Sequence, residues 1–240
     1  MPRSHQRPNL QPGDIGAVKS SINHPLLRYL KDCQTFQLSE IASQAVESTF
    51  DGVTTMNPDN LKLRPCLYIR ERKALGTVPR ELIFLMGTLE GKKKLDIDAF
   101  TRDFVIPISP TPGHGEYCLK STPPWPKRPA YLIAYPLARG DSNPIRGQWR
   151  HQSRHPITQE TETTTYRVGA EELALFENAC AKKLKQFSKR SNDFKEHAIQ
   201  RSKQILCGFN KVQRSLFCSF LDREPGLRSA GRAGWTKPAP

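Results

Sequence analysis

AEELALFENACAKKLKQFSKRSNDFKEHAIQRSKQILCGFNKVQRSLFCSFL, residues 170–221, is the stretch whose reading decides the fold. Apolar or small side chains recur along it at Leu173, Phe176, Cys180, Leu184, Phe187, Ser191, Phe194, Ala198, Ser202, Ile205, Phe209, Val212, Leu216 and Phe220. Their steps of three and four average close to the helical repeat of about 3.6 residues, so they share one helix face. Lys182, Lys183, Lys185, Lys189, Arg190, Lys195, Arg201, Lys203, Lys211 and Arg214 fall mostly off that stripe. The pattern predicts a basic amphipathic helix over 170–222. Glu171 and Glu172 open it and the cations accumulate later, the order that the helix dipole favours. Two features interrupt it. Ser188-Lys189-Arg190-Ser191-Asn192-Asp193 is rich in capping residues, and Gly208 costs about 1 kcal/mol relative to alanine in a helix interior. Because the stripe keeps its phase across both, one long helix is favoured over a helical hairpin turning near Ser191.

Working outward, residues 1–20 are polar, with Gln11-Pro12-Gly13-Asp14 as a turn cluster, and are read as a flexible arm. Residues 21–169 are read as one α+β domain. It begins with a helical pattern from Pro25 to about Phe50, carried by Leu26, Leu27, Leu30, Leu38, Ile41, Ala42, Ala45 and Val46, with Ser39 as a cap. Leu63 to Arg70 alternates as a strand, with Pro65 pointing to a sheet edge or to the strand's first residues. Glu81 to Leu89 is a more buried strand. Glu90-Gly91 then turns through Lys92, Lys93 and Lys94 into Leu95–Ile97, which predicts a hairpin with three cations at its tip. Prolines crowd 108–129, a connection long enough to be functional or disordered. Strands are expected near 104–106, 131–137, 147–155 and 161–168. Residues 223–240, rich in Gly, Pro and Arg, read as a disordered basic tail. The expected fold is α+β, an antiparallel β-sheet core with an N-terminal helical segment and a long amphipathic C-terminal helix or helical hairpin.

The formal net charge of +14 is far more than folding requires and implies an anionic partner. The first residues carry no apolar signal segment, and no run approaches the roughly 18 apolar residues of a membrane span. The six dispersed cysteines therefore read as reduced thiols in an intracellular compartment, cytoplasmic or nuclear.

Catalytic and metal chemistry is weakly indicated. His114 and Cys118, with His151 and His155, have zinc-ligand types in pairs spaced four apart. In a strand that spacing separates two side chains by roughly 13 Å, and Arg150 and Arg154 would repel a cation. Asp96, Asp98 and Asp103 form a carboxylate group of generic spacing, for which a divalent ion would be the catalytic use. The glycines make neither a phosphate-binding loop nor a dinucleotide fingerprint. No cofactor is expected, and catalysis is not the favoured reading.

Nucleic-acid binding has more support. Trp149 lies among Arg146, Arg150 and Arg154, and Trp125 precedes Lys127 and Arg128. Aromatic and basic residues interleaved on strands suit stacking of bases with cations along the backbone. The expected contacts are Lys92, Lys93, Lys94, Arg146, Trp149, Arg150, Arg154, Lys182, Lys183, Lys189 and Arg190, with Tyr68 as a further stacking ring. No helix-turn-helix, RNA-recognition or zinc-finger signature is present, so binding is expected to be non-catalytic and largely sequence-tolerant, to DNA or RNA. The alternative is an interaction or scaffold protein that self-associates through the 173–220 stripe.

Overall fold

The computed structural model describes residues 9–33, 39–71, 79–139, 145–154 and 161–202. In chain order its elements are β1 (Ile15–Lys19), α1 (His24–Asp32), α2 (Glu40–Thr54), β2 (Leu63–Arg70), β3 (Glu81–Gly87) and α3 (Ala99–Phe104). They continue with β4 (Val105–Pro107), β5 (Tyr131–Ile133), β6 (Leu137–Ala138), β7 (Ile145–Gln148), β8 (Arg150–Arg154), β9 (Thr161–Thr165), α4 (Ala170–Ser188) and α5 (Asn192–Gln200). The fold is α+β. A seven-stranded antiparallel sheet has the order β4-β5-β3-β2-β1-β7, with β6 also paired to β3, and β8 and β9 form a separate two-stranded ribbon.

β1 corrects the expectation of a flexible arm over 1–20. Ile15 and Val18 are fully buried, and the strand pairs with β2 on one side and β7 on the other. Gly13 makes the approach possible. Its φ is +95°, and a Cβ there would sit 2.2 Å from the Val168 carbonyl oxygen. Only a residue without a side chain fits such a site.

One sheet face places Ile15, Leu67, Phe84, Met86, Ile106 and Leu132 under α4, whose Phe176 ring meets Phe84 edge-on at 5.0 Å. The other face carries Val18, Cys66, Tyr68, Ile83 and Leu85. A helical layer collects Leu26, Leu27, Tyr29 and Leu30 of α1, Val46 and Phe50 of α2, and Phe100 and Phe104 of α3. Phe187, near the end of α4, is buried against the rings of Tyr29, Phe100 and Phe104. Full burial of one such side chain is worth about 2–3 kcal/mol.

The favoured single long helix is replaced by two. Ser191 has extended backbone angles, and its hydroxyl accepts from the Phe194 N–H at 3.2 Å, which caps α5. Arg190 lies 4.8 Å over the Phe194 ring and pairs with Asp103 of α3 at 3.4 Å, while the Lys195 ammonium donates to the Ser188 carbonyl at 2.9 Å. The apolar stripe survives the break because Phe194 and Ala198 pack on the same helical cluster as Phe187. Residues 203–240, including the rest of the expected helix and the tail, lie outside the described residues, as do residues 1–8.

Of the two placements expected for Pro65, that among the strand's first residues holds, since it is the third residue of β2, and that at a sheet edge does not, since β2 is interior. The role of Pro65 follows from backbone parity. Tyr68 donates its N–H to Asp14 of the β1 side and accepts there from Gly13 N–H, so the even-numbered residues of β2 address β1. Odd-numbered residues then address β3, and Pro65 has no N–H to offer it. The β2–β3 ladder accordingly ends at Cys66 with Leu85. Beyond it Pro65 and Arg64 stay with β1, whereas Met86 and Gly87 pair with β5. The two strands part, and a cleft opens between them.

Candidate nucleic-acid interface

The expected contact residues fall into separate groups. Lys92, Lys93 and Lys94 do not form a hairpin tip. The chain there makes two single 3-10 turns, Leu89–Gly91 and Lys94–Asp96, and Leu95–Ile97 is no strand. Lys92 pairs with Glu90 at 3.0 Å, and Lys93 is exposed. The Lys94 side chain is 7% exposed and its ammonium lies 2.5 Å from Glu116, whose same oxygen pairs with Lys183 of α4 at 2.9 Å. Burial draws the Glu116 pKa upward, but the hydrogen bonds from Lys94 and Lys183 outweigh it and hold the carboxyl below its usual range. Lys94 and Lys183 thus fasten the 108–130 connection and α4 to the turn after β3. Tyr117 strengthens the same joint by donating to a Glu172 carboxylate oxygen at 2.6 Å. Lys182 is exposed on α4 and Lys189 directly after its end, and Arg190 is engaged with Asp103 and Phe194.

Tyr68 cannot stack on a base. It is fully buried, donates its hydroxyl to Glu81 at 2.7 Å, and lies under the Arg139 guanidinium at 5.5 Å. The carboxylate group is also dispersed into structure. Asp98 caps α3 by accepting from Thr101 N–H at 3.0 Å, and Asp103 holds Arg190. Among the described residues no three His, Cys, Asp or Glu side chains lie close enough to hold a metal ion. Cys118 is half-buried and donates to the Thr111 carbonyl, and burial raises its pKa. His155 lies outside the described residues.

The second group is brought to one place. Arg146 on β7 and Arg150 on β8 are exposed, with Trp149 half-buried between the strands and its backbone N–H donated to the Ile15 carbonyl at 2.7 Å. Of Arg154 only the backbone on β8 is described. Trp149 lines the cleft opened at Pro65. The cleft has a volume of about 150 Å3 and is lined by Lys62, Leu63, Arg64 and Pro65 from β2 and its approach, and by Met86, Gly87 and Thr88 from the end of β3. Trp125, Lys127 and Ala130 complete the lining from the proline-rich connection. Trp125 is a core ring, 4% exposed and edge-on to Tyr166 at 4.9 Å. Trp149 is the more accessible of the two tryptophans.

Three cations and no carboxylate line this cleft. The Arg64 guanidinium donates to the Ser20 carbonyl at 2.9 Å, and burial lowers its pKa. Lys62 and Lys127 are exposed, and among the described residues neither they nor Arg146 and Arg150 stand in an ion pair. An apolar floor with cations at its rim attracts a ligand that is aromatic and anionic at once. Sequence reasoning placed Trp125 beside Lys127 but missed Lys62, which reaches the cleft only because β2 and β3 separate. Pro65 was the available signal.

The described part of the 173–220 stripe is used within the chain, since Leu173, Phe176, Cys180, Leu184, Phe187, Phe194 and Ala198 all join the two clusters on either side of the sheet. Among the described residues no helix is long and apolar enough to cross a membrane. No protein-family model matches this chain, and no curated protein or solved structure matches it significantly. What the geometry defines is an α+β protein of strongly basic character with an aromatic, acid-free cleft among the described residues.

Proposed function

We propose that this chain is a non-catalytic, largely sequence-tolerant nucleic-acid-binding protein. Its contact surface on this reading is the Pro65 cleft, with Lys62, Lys127, Arg146 and Arg150 contacting phosphates and Trp149 contacting bases. The observation that carries the reading is the cleft itself, two tryptophans and three cations without a carboxylate on a molecule of net charge +14. Phosphate contacts supply affinity without reading sequence, and ring stacking tolerates every base because each has a π-face. Lys182 and Lys189 are secondary contacts, while Lys94 and Lys183 are assigned to folding.

The test is binding of nuclease-treated protein to labelled single-stranded DNA, duplex DNA and RNA across a salt series. Each phosphate contact on a single strand contributes about 0.7 to the slope of log affinity against log salt. Replacing Lys62 and Lys127 together with glutamine is expected to weaken binding and to flatten that slope by about 1.4. Identical affinity and slope in the variant and the parent protein would refute the assignment of this face.

A further inference from the structure

We propose that the Pro65 cleft receives one unpaired base of a single strand, stacked against Trp149, with Lys62 and Lys127 contacting the phosphates that flank it. This rests on the nucleic-acid reading above and narrows it to a conformation of the ligand.

Size is the first argument. A cavity of about 150 Å3 is the size known to admit one benzene ring, so the cleft of about 150 Å3 has room for a single base and none for a base pair. Its walls are the second. Pro65, Met86, Ala130 and Trp125 line it with apolar side chains, the last three almost fully buried, and half-buried Trp149 is the lining tryptophan left accessible to a base. A base held in a duplex reaches such a pocket only by leaving its stack and its partner, a cost that an unpaired base does not bear. The third argument is the distribution of charge. Lys62 comes from the approach to β2 and Lys127 from the proline-rich connection, so the base site is bracketed by cations from two segments. Arg146 and Arg150 are exposed three residues before Trp149 and directly after it. They extend the positive surface past the cleft, toward phosphates that a strand has and a free nucleotide lacks.

The backbone explains why the β2–β3 ladder stops at the cleft. Extending the β2–β3 ladder by one pair would set Met86 opposite Pro65, which has no N–H to donate to it.

The experiment uses the full chain and four probes: a short oligothymidylate, an abasic strand of equal length, the corresponding duplex, and thymidine monophosphate. Affinity is read by fluorescence anisotropy and base contact by quenching of tryptophan emission. The oligothymidylate is expected to bind with quenching, and the abasic strand about tenfold more weakly without it. Duplex and monophosphate are expected to be weaker still. Trp149→Ala is expected to lose about tenfold on oligothymidylate and nothing on the abasic strand. Because Trp149 is half-buried, Trp149→Phe serves as the conservative variant, retaining most of the affinity while reducing the quench to the share of Trp125, which lines the same cleft. Equal binding of thymidylate and abasic strands would overturn the base pocket and leave the phosphate reading standing. Preference for duplex would overturn it as well. Binding of no strand above the level of the monophosphate would overturn both readings together.

Discussion

Acidification should unfold this protein through one buried imidazole. His24 opens α1, is 9% exposed, and meets the Phe50 ring of α2 edge-on at 5.7 Å. Burial, and secondarily the positive charge of Arg28, lowers its pKa from 6.5 to about 4. The folded chain therefore binds this proton less readily than the unfolded chain does. Above pH 6.5 both states hold a neutral ring and the full stability is present. Between pH 6.5 and about 4 the unfolded state takes up the proton first, so stability falls as pH falls and is lost through the folded pKa. At 1.36 kcal/mol per pH unit the gap amounts to about 3 kcal/mol, a large fraction of what a domain of this size possesses. The assay is urea unfolding followed by tryptophan emission at steps from pH 7.5 to 4.5, on the parent protein and on His24→Gln. His197, whose pKa burial and Arg201 also lower, contributes in the same direction to both proteins and cancels in the comparison. The parent should lose about 2–3 kcal/mol more than the variant across that range. Equal slopes for the two proteins would refute the argument.

Three further substitutions probe the joints of the fold. Glu116→Gln leaves the ammonium groups of Lys94 and Lys183 without their shared carboxylate; because Glu116 is 45% exposed, the expected loss is about 2 kcal/mol in urea unfolding, and an unchanged midpoint would count against the triad. Lys93→Gln should leave stability unchanged while Lys94→Gln lowers it, a contrast readable in one thermal melt, and equal melts would mean that the burial of Lys94 has no energetic role. Ser191→Ala should cost about 1 kcal/mol by removing the acceptor for Phe194 N–H, whereas a continuous helix through this point would be stabilised by the alanine, so the sign of the change decides between them.

The class of the fold was legible because its signals are local. Alternation over 63–70 and the apolar run of 81–87 marked β2 and β3, and the 3.6-residue stripe marked α4 and α5. β1 was not legible, since Ile15-Gly16-Ala17-Val18 is short, has no polar alternation and follows a proline-glycine turn. Its burial on both faces is imposed by β2 and β7, which lie far along the chain. The helix break at Ser191 was visible as composition but outweighed by the stripe, which continues in phase because α5 packs on the same cluster as the end of α4. Of the candidate site, Trp149 and its neighbouring arginines could be read from spacing alone. Lys62 could not, because its approach to Trp149 depends on where a ladder ends.

The charge of this molecule also has to be divided before it means anything. Nine cations form ion pairs with seven carboxylates among the described residues, Glu81 and Glu116 each serving two. These pairs hold the connection, α3 and α4 in place, and a run such as Lys92-Lys93-Lys94 contributes one exposed, two engaged. What distinguishes Lys62, Lys127, Arg146 and Arg150 is the absence of an acid within ion-pair distance among the described residues, together with the nearby tryptophan. A cation already facing a carboxylate must give up that partner to bind a phosphate, and one facing water must give up only hydration and a counterion. The missing N–H of Pro65 therefore acts at two levels, ending a ladder and leaving an apolar gap beside the cations most ready to bind.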